Sequence, residues 1–342
     1  MKTAVLIVNF NGKQYLAECL DALLVQTMRP DVIVIVENGS SDGSLKFLRE
    51  NYPQVTVLEQ ETNLGFAEGN NLGIEWIRNN TAPDAVALVN NDTKAEPGWL
   101  AALVAALESD TGLGSAASCM LYASDPGRIN NAGDMPLRDG TGVARGRHLP
   151  ANDFAEDAEV FGACAGAAIY RMRALEDIAI DGDFFDPDYF AYNEDIDLSW
   201  RLCKRGWRSR YAAGARILHH HSATSGRFST WILFHGERNR CWTLVKNFSW
   251  WIILVSPLYT IARYMMIMTG PGEAEHGTAA NYRKRFSMFA ILGTLVEAWL
   301  AALAGAPRML IKRWKYRLGW SLKDQQKILG GLGAKLTRTR DH

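Results

Sequence analysis

Between residues 3 and 90 the chain repeats one pattern: a short β-branched run, a cluster of small polar residues, then a helical period. The runs are Thr3 to Val8, Val32 to Val36, Val55 to Leu58 and Ala85 to Val89. Between them, apolar residues recur at helical spacing: Leu16, Leu20, Leu23 and Leu24 first, then within Leu45 to Arg49, then within Ala67 to Ile77. Side chains alternate across a strand but return to the same side of a helix every three or four residues, so the two periods separate strand from helix. Strands alternating with helices in this way predict an α/β fold, a doubly wound and mostly parallel sheet. Its ligand crevice should lie outside the carboxyl ends of the strands.

The polar clusters follow those strand ends: Asn9 to Gly12, Glu37 to Ser44, Asn63 to Asn71 and Asn90 to Thr93. Each taken singly is explained by the turn preference of Asn, Gly, Ser and Asp. Four in succession predict one shared crevice. Val8-Asn9-Phe10-Asn11-Gly12 lacks the glycine spacing of a dinucleotide-binding turn, which argues against a dehydrogenase. Glu37 or Asn38 is placed to accept from a base or ribose, and Asp42 is expected to cap the following helix. Asp92, after the fourth strand, is placed to hold a divalent cation against a diphosphate, although a lone Asp there also suits a turn.

Further along, Tyr189-Phe190-Ala191-Tyr192-Asn193-Glu194-Asp195-Ile196-Asp197-Leu198-Ser199-Trp200-Arg201 is the densest acidic cluster, ahead of an amphipathic helix that runs to Arg205 and closes at Gly206. Acids in a first turn favour the helix dipole. Aromatic neighbours would also desolvate a carboxylate and raise its proton affinity, as a general base requires. His219-His220-His221 follows an apparent strand, Arg216 to Leu218, so only His219 and His221 can share a side. No spacing for a hydrolytic zinc site accompanies them. Gly162 and Gly166 suit either close backbone approach of an acceptor or tight internal packing.

The 37 basic and 37 acidic residues cancel, so overall charge points to no nucleic-acid partner. Five scattered cysteines form no CxxC pair and fit a reducing compartment, and the apolar run Ala4 to Val8 is too short for a signal peptide. We expect two domains, residues 1–227 and 228–342. The second is helical and membrane-associated: Trp250 to Met268 and Phe286 to Ala304 approach spanning length but are interrupted by Pro257, Arg263 and Glu297. Arg283, Lys284, Arg285, Arg308, Lys312, Arg313, Lys315 and Arg317 flank the second segment. Helices lying in the interface against anionic lipid are expected, with a soluble helical cap or true spanning helices as the other arrangements. Arg238-Asn239-Arg240 is placed to grip a lipid-linked diphosphate.

Taken in order, Val8 to Gly12, Glu37 to Ser44, Asn63-Leu64-Gly65-Phe66-Ala67, Asn90-Asn91-Asp92-Thr93 and Asn193 to Arg201 resemble the family 2 glycosyltransferases, within them the rhamnosyltransferase-like branch, over roughly residues 3 to 245. The resemblance implies a GT-A fold and in-line displacement with inversion at the anomeric carbon. It implies that Asn9 and Glu37 hold the nucleoside, that Asn63 and Asn70 lie in the donor loop, and that Asn11, Asn38, Asn90 and Asn91 complete the donor side. Asp92 matches the last position of the family's DxD metal motif, with Asn90 replacing its first acid, and His219 fits a histidine completing a Mg²⁺ or Mn²⁺ site. Asp195 matches the catalytic base, with Glu194 the second choice, and Trp200 either stacks on the acceptor sugar or belongs to the core.

The implied reaction moves a sugar, L-rhamnose from dTDP-rhamnose, to a lipid-linked glycan acceptor. The implied location is the cytoplasmic face of the inner membrane, peripheral or monotopic. Two other activities use the same residues: a metal-dependent hydrolase or phosphotransferase, and a non-catalytic scaffold that binds sugar nucleotides.

Overall fold

The structure, a computed structural model, describes residues 1–220, 229–269, 282 and 284–337. His221, the run Ser222-Ala223-Thr224-Ser225-Gly226 and Arg283 lie outside the described residues. The chain forms two compact units, Met1–Met135 with Ala144–Thr224, and Pro136–Val143 with Ser225–His342.

The first unit begins with the anticipated alternation: β1 (Thr3–Asn9), α1 (Lys13–Leu24), β2 (Val32–Asn38), α2 (Ser44–Asn51), β3 (Thr56–Gln60), α3 (Gly65–Thr81) and β4 (Ala85–Asn90). β1 pairs in parallel with β2 and β4, and β2 with β3. Successive side chains face opposite sides of this sheet. Leu6, Val34, Val36 and Leu88 pack with Ile74 and Ile77 of α3, whereas Val5, Ile7, Ile33 and Ile35 pack with Leu16, Leu20 and Leu23 of α1. Both faces are covered, which is why these strands are apolar almost throughout. The strands end level with one another, Asn9 opposite Glu37, Val8 opposite Asn90 and Asn38 opposite Gln60, so their polar continuations meet.

Asp42 acts on two helices at once. The residue at the capping position of α2 is Gly43, at φ +83°, and Asp42 stands one position earlier than a capping residue should. The left-handed turn at Gly43 folds Asp42 back, so its carboxylate accepts from Ser44 N at 3.0 Å and from Lys13 N, at the start of α1, at 2.9 Å.

The rest of the first unit extends the sheet with mixed pairing through β5 (Thr93–Ala95), β6 (Leu113–Tyr122), β7 (Asp125–Asn131), β10 (Ala158–Val160), β11 (Ala167–Arg171) and β12 (Arg208–His219). Between β7 and β10 lies a small separate pairing of β8 (Asp134–Pro136) with β9 (Gly142–Ala144). The main order is β10-β12-β6-β11-β4-β1-β2-β3, with β5 on β12 and β7 on β6. Helices α4 (Trp99–Glu108), α5 (Met172–Ile178) and α6 (Glu194–Lys204) complete the unit.

The second unit contains α7 (Thr230–Asn247), α8 (Trp250–Thr269), α9 (Met288–Lys315) and α10 (Leu322–Thr337). Arg263, which interrupts the apolar run of α8, pairs with Asp139 at 2.5 Å and Glu237 at 2.6 Å. Arg240 is buried against Glu237 at 2.8 Å and donates to the Asp139 carbonyl, so it is engaged internally and not presented to a diphosphate as expected. A buried guanidinium has to be matched within the protein, and these carboxylates match it. Among the described residues one helix, α9, is long and apolar enough to cross a membrane, with 22% of its most apolar window buried.

Candidate active site

The amides expected on the donor side form chains of hydrogen bonds across the strand ends. Asn91 Nδ2 donates to Asn9 Oδ1 at 2.7 Å, and Asn9 Nδ2 donates to Glu37 Oε2 at 2.6 Å. Glu37 Oε1 accepts from Ser40 N at 3.1 Å, and burial pushes its carboxyl upward. Asn38 Nδ2 donates to Asn63 Oδ1 at 3.1 Å while Asn38 Oδ1 accepts from Leu64 N at 3.0 Å, joining the ends of β2 and β3. Asn11, at φ +50°, accepts from Ser41 N at 2.8 Å. Asn70 is buried within α3 and donates to the Phe66 carbonyl of its own helix at 2.8 Å, so the structure does not join it to Asn63. Buried amides satisfied in this way make the loops rigid.

Asp92 lies in the turn between β4 and β5, and β5 runs antiparallel to β12 with Thr93 opposite His219. That pairing brings His219 Nε2 to 3.2 Å from Asp92 Oδ1, both side chains being largely buried. Adjacent ligands on a small octahedral cation bound at about 2.1 Å stand about 3 Å apart. One carboxylate oxygen and one imidazole nitrogen at 3.2 Å therefore fit a Mg²⁺ or Mn²⁺ ion. His220 turns the other way, with Nε2 2.9 Å from Glu18 Oε2, as alternation along a strand requires.

A loop connects this turn to the acidic cluster. Asn90 N donates to the Gly166 carbonyl at 2.8 Å, and one residue earlier Ala165 N donates to Asp195 Oδ2 at 3.4 Å. A Cβ on Gly166 would stand 2.9 Å from Asn90 Nδ2, and one on Gly162 would stand 2.0 Å from Ser199 Oγ. Both glycines are thus required by internal packing, and acceptor approach is not needed to explain them.

Asp195 is half-buried in the first turn of α6. The helix is anchored by Arg201, which pairs with Asp197 at 2.9 Å and donates to the Ile178 and Phe184 carbonyls. Burial raises the Asp195 carboxyl above its ordinary range, opposed by the backbone N–H groups of Ile196 and Ala165. Glu194 lies well above its usual range, through burial and then the Asp195 charge, and its Oε2 is buried with no hydrogen-bond partner among the described residues. Trp200 is fully buried with its ring edge-on to Phe161 at 4.8 Å, so it is a core side chain and not a platform for a sugar.

Asp134 is buried, and atoms of Asp134, Cys164 and Asp195 lie within 4.8 Å of one another. Sequence reasoning missed it, together with Asn130, which faces His219. The signal was the run Asn130-Asn131-Ala132-Gly133-Asp134, the same Asn, Gly and Asp composition that marked the other loops. Asn71 was read only as the end of a loop. It holds the segment ahead of Glu194 and Asp195, accepting from Phe185 N at 2.7 Å and donating to the Phe185 carbonyl at 2.8 Å.

Residues 4–179 match the glycosyl transferase family 2 profile, so the chain belongs to that family. It is 28% identical over 271 residues, 72% of this chain and 85% of the relative, to the N-acetylglucosaminyl-diphospho-decaprenol L-rhamnosyltransferase of Mycobacterium tuberculosis (strain ATCC 25618 / H37Rv). Over 113 residues, 32% of this chain and 31% of the relative, it is 34% identical to the uncharacterized glycosyltransferase YibD of Escherichia coli (strain K12).

Among solved structures it is similar to GalNAc-T7 with UDP, GalNAc and Mn²⁺ (TM-score 0.59, 14% identity, 90% of this chain, 58% of that one). It is also similar to Staphylococcus aureus TarS (TM-score 0.53, 16% identity, 92% of this chain, 53% of that one). The chain thus spans little more than half of these solved chains, and at such identity the likeness shows the fold. The protein is a family 2 glycosyltransferase of GT-A fold.

Proposed function

We propose that the protein transfers L-rhamnose, from dTDP-rhamnose, with inversion to a hydroxyl of a lipid-linked glycan. The observation that carries this reading is the Cys164-Ala165-Gly166 loop, bonded at one end to the turn that holds Asp92 and at the other to Asp195. Such a loop keeps a leaving-group site and a base at one end of the sheet. The name of the Mycobacterium tuberculosis relative supports the sugar and the kind of acceptor.

In this reaction the acceptor oxygen attacks the anomeric carbon as the bond to the donor diphosphate breaks. Asp195 Oδ takes the acceptor's proton, and its raised proton affinity suits that role. Glu194, adjacent and also raised, is the second group able to hold the proton, and the two titrate together. Asp92 and His219 would hold Mg²⁺ or Mn²⁺, and the chemistry supplied there is neutralisation of charge on the leaving diphosphate. The amides of Asn9, Asn11, Asn38, Asn63, Asn90 and Asn91, with Glu37, shape the loops that receive the nucleotide.

The catalytic part is assigned to residues 1–227 and membrane attachment to residues 228–342. Leu254, Leu258, Ile261 and Met265 on α8 are exposed, as are Phe289, Leu292, Val296, Leu300 and Leu303 on α9, each set at helical spacing. With Arg308, Lys312 and Lys315 on the final turns of α9, these faces suit the interface of an anionic bilayer, here the cytoplasmic face of the inner membrane. The deciding experiment is transfer of labelled sugar from dTDP-rhamnose to a polyprenyl-diphosphate-linked N-acetylglucosamine. Formation of an alkali-stable disaccharide lipid supports the proposal; release of free rhamnose without acceptor would instead identify a hydrolase.

A further inference from the structure

Asn130 lies near the end of β7, which runs antiparallel on β6, and β6 runs parallel to β12 with Tyr122 opposite His219. Its Oδ1 stands 3.0 Å from His219 Nδ1 in a buried contact, while the other ring nitrogen stands 3.2 Å from Asp92 Oδ1. An amide oxygen only accepts, so the nitrogen facing it carries the ring hydrogen. Nε2 is then the nitrogen turned toward the Asp92 carboxylate, donating to it when the ring carries both hydrogens and open to a cation when that second hydrogen is given up.

The same amide turned over would have the opposite effect. Its Nδ2 would donate to Nδ1, the hydrogen would move to Nε2, and His219 and Asp92 would close on each other as a hydrogen-bonded pair. The orientation of Asn130 therefore decides whether Nε2 is the nitrogen that can give up its hydrogen to a cation or the one that keeps it. In the observed orientation Nδ2 is buried and has no partner among the described residues.

We propose that Asn130 is a positioning residue that fixes the His219 tautomer and thereby prepares Asp92 and His219 to bind a divalent cation. The inference rests on the reading of those two residues as the cation site. Outer partners of ligating histidines typically change metal affinity by about 10–100-fold when removed.

The test uses the full-length protein labelled with [15N]histidine and, separately, Mn²⁺ titrations followed by electron paramagnetic resonance with and without dTDP. The expected His219 spectrum, assigned by its loss in His219→Ala, is that of a ring with hydrogen on Nδ1. Asn130→Leu should weaken Mn²⁺ binding by about 10–100-fold, and Asn130→Asp, which keeps an oxygen facing the ring, should restore it. A neutral ring with its hydrogen on Nε2, or wild-type Mn²⁺ affinity in Asn130→Leu, overturns the proposal. Should the leucine variant not fold, the wild-type spectrum and the affinity of Asn130→Asp decide the matter. If Asp92→Ala and His219→Ala also bind Mn²⁺ normally, the cation site itself is misplaced. If only those two lose affinity, the site stands and the role of Asn130 falls.

Discussion

The backbone carbonyl of Phe190 accepts from Phe66 N at 2.7 Å and from Ala67 N at 3.1 Å, which docks the segment ahead of Glu194 and Asp195 on the first turn of α3. That segment is strained: Phe190, Tyr192 and Asn193 have φ of +63°, +72° and +66°. Gly65 permits the contact, since it sits at φ +85° and a Cβ there would stand 2.6 Å from the Phe190 ring. Gly65→Ala should cost about 1–3 kcal/mol of stability in urea unfolding and lower kcat. A variant as stable and as fast as wild type would show that the docking is dispensable.

Asp195→Asn removes the proposed proton acceptor while keeping the side chain's shape. Transfer should fall by about 10²–10⁴-fold, with nucleotide binding unchanged in calorimetry. Retention of more than about a tenth of turnover would remove Asp195 from the role of base.

Asp134 should make the fold less stable as pH rises. Burial, and then the Asp195 charge, hold its carboxyl well above the ordinary range. The folded chain thus binds this proton more tightly than the unfolded chain. Its stabilising effect is complete below the unfolded value, about 3.9, and is lost as pH climbs through the folded one. Asp134→Asn is neutral throughout and keeps an oxygen for Asn131 Nδ2, which now donates to Oδ1 at 2.9 Å. Thermal melts should show a Tm gain that grows as pH rises above the unfolded value of about 3.9. A uniform loss across that range would contradict this account.

Asp92→Ala should abolish the dependence of nucleotide binding on Mn²⁺, because it removes the carboxylate of the Asp92 and His219 pair. Calorimetric titration of dTDP with and without Mn²⁺ reads this directly. Unchanged metal dependence would place the cation elsewhere.

The exposed apolar face of α9 should bind anionic vesicles. In flotation, wild-type protein is expected with phosphatidylglycerol-containing liposomes, and Leu292→Glu combined with Leu303→Glu should leave it in the soluble fraction. Wild-type protein that ignores the vesicles would favour a helical cap without membrane contact.

The parallel half of the sheet was legible residue by residue because its information is local. Val32 to Val36 and Ala85 to Val89 are strand-like in themselves, and Leu16, Leu20 and Leu23 fall on one side of a helix whatever lies around them. A helix after Asn193 with acids in its first turn followed from the same local reading. The placement of Asn90 to Thr93 at a strand end was equally readable, since strand ends in an α/β sheet are where polar loops gather.

Partners far apart in the chain were decided only by the tertiary structure. Antiparallel pairing of β5 with β12 sets His219 beside Asp92, and the path through β6 and β7 sets Asn130 beside His219. Neither adjacency leaves a period in the sequence. For the same reason Trp200 and Arg240 looked available to a ligand until packing buried them, and Asp42 looked like the cap of one helix until the turn at Gly43 brought it to two. Periodicity along the chain encodes which side of an element is buried; which side chains then meet depends on strand order and register, and those arise only when the whole sheet assembles.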